Sequence, residues 1–163
     1  FPNKVYKIAS FYDYLLLCKE NNVTPIIELK SPFNEAQIQL VLEMVEAEEM
    51  MDKCVFISFQ ASYLLYIRNC YSNVRLQLLI QKEDPTGAIK TCLANNYSIS
   101  VAYNNTFFFT KANIDKFHKA GLEVAAWTVD DAIIMKNLIN MGVDYITSNA
   151  IDTLPALDPL PVK

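Results

Sequence analysis

Two opposite charges stand two residues apart in the stretch Pro25-Ile26-Ile27-Glu28-Leu29-Lys30. The stretch is a short apolar run between a proline and the break Ser31-Pro32, so it reads as a buried strand. Side chains alternate along a strand, which puts Ile26, Glu28 and Lys30 on one face and Ile27 and Leu29 on the other. A carboxylate and an ammonium at the carboxyl end of a buried strand are costly unless something uses them. That end of the strands is also where α/β folds bind ligands. Glu28 and Lys30 are therefore read as the centre of whatever the protein does. The alternative is an ion pair that serves structure alone.

Other chemistry is thinly represented. The four cysteines, Cys18, Cys54, Cys70 and Cys92, form no C-x-x-C pair and have no histidine at zinc spacing. They lie in apolar periodic segments and read as buried free thiols, which leans toward a reducing, cytoplasmic compartment. The single histidine, His118, falls in a helix and reads as a surface or packing residue. Three glycines, Gly87, Gly121 and Gly142, are too few and too scattered for a phosphate-cradling loop. No serine elbow, Cys-His pair or H-E-x-x-H occurs. Ser58 and Gln77 are candidates to line a pocket. Trp127, on the face of Ala125 and Val129, is either a core residue or a pocket wall. Asn104-Asn105 reads as a turn.

The elements that must hold these residues alternate. A helix is expected over Ser10–Glu20, with Ser10 and Asp13 in a capping box. The strand carrying Glu28 follows, and then a helix from Asn34, with Gln37 as the reciprocal cap and Ile38, Val41, Leu42 and Val45 as its apolar stripe. The acidic run from Glu46 to Glu49 reads as a solvated face. Strands are expected at Cys54–Phe59, Arg75–Ile80, Tyr97–Tyr103, Glu123–Val129 and Asp144–Ser148. Helices are expected at Ala61–Asn69, Thr86–Ala94, Lys111–Ala120 with Gly121 closing it, and from a cap at Asp130 to Gly142. Asp144 opens the last strand. The first few residues read as extended. The segment 150–163, with Pro155, Pro159 and Pro161, reads as a strap or tail. Strict alternation implies a parallel sheet with right-handed crossovers. Six strand-helix units fit either an open doubly wound sheet of the flavodoxin type or most of an eight-stranded barrel.

Composition bounds the rest. One hundred and sixty-three residues, 52% of them hydrophobic, suit one domain with a real core. The net charge of -4 argues against a chain built mainly to bind nucleic acid. No apolar run reaches the length of a transmembrane helix. No signal peptide is visible at the start, and the first residue is Phe1 rather than Met.

Several phrases then line up in order. Ile26-Ile27-Glu28-Leu29-Lys30 resembles the "IEIK" strand of the glycerophosphodiester phosphodiesterase family. Ile8-Ala9-Ser10-Phe11 through Leu15 is similar to its "P-T-L-x-E-x-L" segment, with Ala in place of Pro. Ser58-Phe59 looks like its "SF" strand end, Val124 to Asp130 like "V-x-x-W-T-V-N", and Gly142 to Ser148 like "G-V-D-x-I-x-T-D". The resemblance implies a (β/α)8 TIM-barrel-like fold, here partial, with six of eight strand-helix units and the first two absent, over residues 1–163 as a single domain.

It also implies an enzyme of lipid metabolism: a metal-dependent phosphoric diester hydrolase that splits glycerophosphodiesters into an alcohol and glycerol phosphate. Glu28 matches a ligand of its divalent metal, Mg2+ or Ca2+. Lys30 matches a catalytic residue that meets the phosphate and steadies developing charge. Trp127 matches a residue that packs on the substrate. The family's His-Arg pair, Glu-x-Asp pair and second His lie on the two strands with no counterpart here. The chain is therefore expected to be the C-terminal part of a longer enzyme, its competence alone in doubt. An N-terminal segment or self-association would complete the barrel. The alternative is a non-catalytic derivative that binds a phosphodiester or a partner at the same barrel mouth.

Overall fold

The computed structural model describes residues 7–30, 32–81 and 83–150. The expected extended start and the proline-containing tail beyond Ala150 lie outside the described residues.

Six helices and six strands alternate: α1 Phe11–Glu20, β1 Ile26–Glu28, α2 Glu35–Ala47, β2 Val55–Ser58, α3 Ala61–Cys70, β3 Arg75–Ile80, α4 Thr86–Asn95, β4 Ser98–Ala102, α5 Lys111–Lys119, β5 Val124–Trp127, α6 Ala132–Met141 and β6 Tyr145–Ile146. The helices begin where short polar side chains can satisfy orphan amides. Ser10 Oγ accepts from the Asp13 amide at 3.1 Å, and Asn34 Oδ1 accepts from the Gln37 amide at 2.9 Å. Both are full capping boxes, as expected from sequence. The expected cap of α6 is off by one residue. Asp131, not Asp130, accepts the Ile133 and Ile134 amides, at 2.8 and 2.9 Å. Gly142 ends that helix at φ +99°, where a Cβ would be strained.

All strand pairs are parallel and the sheet order is β1-β2-β3-β4-β5-β6. A doubly wound sheet reverses direction from its first strand and so breaks this order. A barrel keeps it, and the six units form a partial (β/α)8 barrel with β1 and β6 as its two edges. The ladders run slightly past the named strands. The Leu29 amide donates to Ile57 O, and the Thr147 amide to Ala126 O, each at 2.9 Å. Among the described residues no helix is long and apolar enough to cross a membrane.

The registers divide the sheet into two faces. One row runs Glu28, Ile57, Gln77, Ser98, and another Leu79, Ser100, Ala125, Tyr145. These belong to the concave, barrel-interior face. The convex face carries Ile27, Phe56, Leu76, Leu78, Ile99 and Val124, which join the helix residues Leu15, Leu42 and Phe117 in one buried cluster. The main core therefore lies between sheet and helices. Each fully buried Leu, Ile or Phe there contributes about 1.5–3 kcal/mol by removal of apolar area from water. The concave face is left more open: Ile26, Phe59 and Tyr145 are all exposed.

His118 and Asp144 are joined at the amino-terminal end of the barrel. His118 Nε2 lies 2.8 Å from Asp144 Oδ2, and the same oxygen accepts the Val124 amide at 2.9 Å. Asp144 thus ties β6 to β5 and to the end of α5, where its sequence position suggested only a strand start. The acidic run is also less free than expected. Glu48 pairs with Lys19 at 3.3 Å, and Glu46 accepts from the Tyr71 hydroxyl at 2.8 Å. Three cysteines are buried, but Cys70, at the last position of α3, is exposed.

Candidate functional site

Glu28 ends β1 and Lys30 follows two residues on, so both side chains leave the same concave face at the carboxyl end of the sheet. They open into a cleft of about 430 Å³ lined also by Ile57, Phe59, Leu79, Gln81, Ser100, Trp127, Thr128 and Thr147. That volume suits a small-molecule ligand. The structure thus brings Glu28, Lys30 and Trp127 together in one cleft, from strands that lie at opposite sides of the sheet.

Two expectations change. Glu28 and Lys30 are exposed rather than buried, because the barrel is open beside β1. And they make no ion pair, with each other or with another described residue, so the purely structural account of the pair loses its support. Both charges face the cleft.

The wall opposite is aromatic. The Phe59 and Trp127 rings meet edge to face, with centroids 5.8 Å apart and planes at 89°. The Trp127 indole Nε1 donates to Ser100 O at 3.1 Å, which fixes the ring on the neighbouring strand. Trp127 is therefore a cleft wall rather than a core residue.

Ser58 faces the other way. It has the parity of Phe56, not of Ile57, and is fully buried. Its hydroxyl donates to Leu29 O at 2.7 Å and accepts the Gln60 amide at 3.0 Å. It fixes the peptide between Glu28 and Lys30 instead of lining the pocket. Ser58→Ala is expected to lower stability by about 1–3 kcal/mol, because a buried carbonyl and a part-buried amide lose their partner. Chemical denaturation measures this, and a loss below about 0.5 kcal/mol would remove Ser58 as the clamp. Gln77 lies on the concave face, below the residues that line the cleft.

The rim is stitched by Asn105, which is buried. Its Nδ2 donates to the carbonyls of Gln81 and Glu83, both at 3.1 Å, and its Oδ1 accepts the Phe108 amide at 3.2 Å. Asn105 is thus a turn organiser, as its Asn-Asn setting suggested, and it ties the loop after β3 to the loop after β4. Asp130 holds the loop after β6: it accepts the Asn149 amide at 2.7 Å and the Ser148 hydroxyl at 3.1 Å. The Asn149 amide, helped by the side chains of Asn149 and Ser148, holds the Asp130 carboxyl below its ordinary value. Its contribution to the loop is present above the ordinary aspartate range and is lost as pH falls through the lowered value.

Two of the buried thiols are poor nucleophiles. Burial pushes Cys54 and Cys92 up to about 12, far from the thiolate form. His118 is at the far end of the barrel, locked to Asp144. Among the described residues no group of three or more His, Cys, Asp or Glu stands together as a metal centre. A hard cation such as Mg2+ or Ca2+ takes six or more oxygen ligands, and one protein carboxylate is too few to build its site. The described residues alone do not fit such a metal.

Residues 12–153 match the family model described as "Glycerophosphoryl diester phosphodiesterase family". Over 45 residues the chain is 44% identical to "Probable glycerophosphodiester phosphodiesterase 2" of Mycobacterium tuberculosis, a stretch that is 28% of this chain and 17% of that protein. The fold is similar to that of a glycerophosphodiester phosphodiesterase from Parabacteroides distasonis, with a TM-score of 0.71 and 22% identity, covering 86% of this chain and 60% of the other. It is also similar to an Oleispira antarctica phosphodiesterase solved with the product sn-glycerol-3-phosphate, with a TM-score of 0.74 and 17% identity, covering 86% and 57%. At these identities the structural likeness speaks for the fold. The chain spans less than two thirds of the length of each of these relatives.

Proposed function

Because the chain belongs to the glycerophosphoryl diester phosphodiesterase family, we propose that it is the part of such an enzyme that carries the phosphate-binding side of the active site. The reaction is hydrolysis of a glycerophosphodiester: a water oxygen bonds to phosphorus, the ester P–O bond breaks, and the alcohol leaves with a proton, giving glycerol phosphate. The observation that carries this reading is the pair of charges, Glu28 and Lys30, in no ion pair among the described residues, at the mouth of a cleft walled by Phe59 and Trp127.

Lys30 Nζ offers three donors and a positive charge to the phosphoryl oxygens, where negative charge grows in the transition state. The edge-to-face pair of Phe59 and Trp127 gives the glycerol carbons an apolar wall and orients the ester toward Lys30. Glu28 is proposed as one ligand of a divalent metal, Mg2+ or Ca2+, whose other oxygens come from beyond the described residues. The proton-transfer groups have the same origin, since the one histidine sits at the opposite end of the barrel. That separation also favours a second reading, in which these residues bind a phosphodiester without cleaving it.

The test uses the natural polypeptide that contains these residues, with glycerophosphocholine and glycerophosphoethanolamine as substrates and Mg2+ or Ca2+ present. Glycerol phosphate is followed by 31P NMR. Release of glycerol phosphate is expected. Binding without release supports the second reading, and neither binding nor release removes both. Glu28→Gln is expected to weaken Mg2+ or Ca2+ binding on the order of 10- to 100-fold, with loss of turnover to match. Unchanged metal-dependent turnover in that variant would remove Glu28 as a ligand.

A further inference from the structure

Ser100 is 4% exposed, lies on the concave face of β4 and lines the cleft that holds Glu28 and Lys30. Its carbonyl is used by the Trp127 indole. Its hydroxyl has no hydrogen-bond partner among the described residues. The contrast with the nearby serines is direct. The Ser58 hydroxyl holds Leu29 O and the Gln60 amide, and the Ser98 hydroxyl accepts the Glu123 amide at 3.0 Å. Among the described residues the buried polar side-chain atoms without a partner are Arg68 Nε, Arg75 Nε and the Tyr97 hydroxyl, so the unpaired Ser100 hydroxyl is open to the cleft, where a ligand can reach it. Across the ladders Ser100 pairs with Leu79 and Ala125, both apolar, and the cleft it lines also holds the Trp127 ring. None of these supplies a donor or acceptor side chain to the hydroxyl in its place, since the indole N–H is already committed.

We propose that Ser100 is a specificity-determining residue whose Oγ hydrogen-bonds one free hydroxyl of the glycerol moiety while Lys30 holds the phosphate. This deepens the proposed function and rests on it for the identity of the ligand. The hydroxyl of Ser100 both donates and accepts, so it suits an alcohol better than it suits an anion. A ligand that covers this part of the cleft shuts the hydroxyl off from water, so an unmatched hydroxyl is then left unpaired. A ligand that lacks the matching hydroxyl is disfavoured, as in other sites built around a buried polar group. Trp127 is anchored on the Ser100 carbonyl and lines the same cleft, so the carbon skeleton and the polar group are read by neighbouring strands.

The test is a cycle that removes the hydroxyl from the protein and from the ligand in turn. Affinities are measured by calorimetry on the natural polypeptide and on Ser100→Ala, with sn-glycerol-3-phosphate and with its 1-deoxy and 2-deoxy analogues. The wild type is expected to bind glycerol phosphate about three- to tenfold more tightly than one of the two analogues, and Ser100→Ala is expected to lose that preference while binding that analogue as the wild type does. Ser100→Thr, which keeps the hydroxyl, is expected to retain the preference. Equal losses for all three ligands in Ser100→Ala would show a structural role and overturn the proposal. So would an unchanged preference, or no binding of glycerol phosphate by the wild type. Binding with the expected preference but no hydrolysis of any glycerophosphodiester would defeat the proposed activity and leave this inference standing.

Discussion

Lys30→Met is expected to lower kcat/KM for glycerophosphodiester hydrolysis by about 10²–10³-fold, with most of the loss in kcat. Methionine keeps much of the length and apolar stem of lysine but removes the charge and all three donors. Lys30 stands exposed at the cleft mouth and takes part in no ion pair among the described residues, so its removal leaves no carboxylate stranded. The folded state should be nearly indifferent, with a change within about 0.5 kcal/mol. Stability and catalysis are thereby separated in one variant. Steady-state kinetics with glycerophosphocholine, alongside a denaturation curve, reads both. A rise in KM alone would assign Lys30 to ground-state binding of the phosphate and not to the transition state. Full activity would end its catalytic assignment.

The second large effect concerns the core. Phe56→Ala is expected to cost about 3–5 kcal/mol, whereas Ile57→Ala, the very next residue, is expected to cost less than about 1.5 kcal/mol. Phe56 is fully buried on the convex face, within the cluster shared with the helices. Ile57 is only half-buried and looks into the cleft. Deleting the Phe56 ring leaves a cavity among residues fixed on both sides, while the space vacated by Ile57 opens to solvent. Urea denaturation of the two variants decides the matter. Equal costs would mean that the concave face is as tightly packed as the convex one, contrary to the division of the sheet described above.

Much of this was legible in the residues because the governing forces are local. The capping boxes at Ser10 and Asn34 need only residues three apart, and both formed. Alternation along β1 put Glu28 and Lys30 on one face, and the quoted phrases carried the family. What failed depended on distant neighbours or on a single residue of register. The burial of Glu28 was overestimated because a strand's surroundings depend on what lies across the barrel. Ser58 was misassigned because its face follows from the register with β1, which its own segment does not reveal. The α6 cap fell to Asp131 because adjacent aspartates compete and backbone geometry decides between them. Cys70 is three residues beyond the buried Ile67, yet it occupies the last position of α3 and is exposed. Ser100 left one faint signal, a small polar residue between Ile99 and Val101 in an apolar strand. Only the cleft gives that signal meaning.

The consecutive strand order has a consequence for how the molecule is made. Val55 pairs with Ile26, twenty-nine positions earlier, and with Arg75, twenty positions later; β3, β4 and β5 likewise pair with their immediate predecessor and successor, and the edge strands β1 and β6 with their one neighbour. No ladder among the described residues has to wait for a distant segment. The entropy of closing each loop is modest and is met once per unit. Assembly can therefore follow the order of synthesis, each new strand docking on the one before it as it leaves the ribosome. Such a chain is expected to gain structure in steps during translation, and its growing edge, always the latest strand, is the surface that a chaperone would meet.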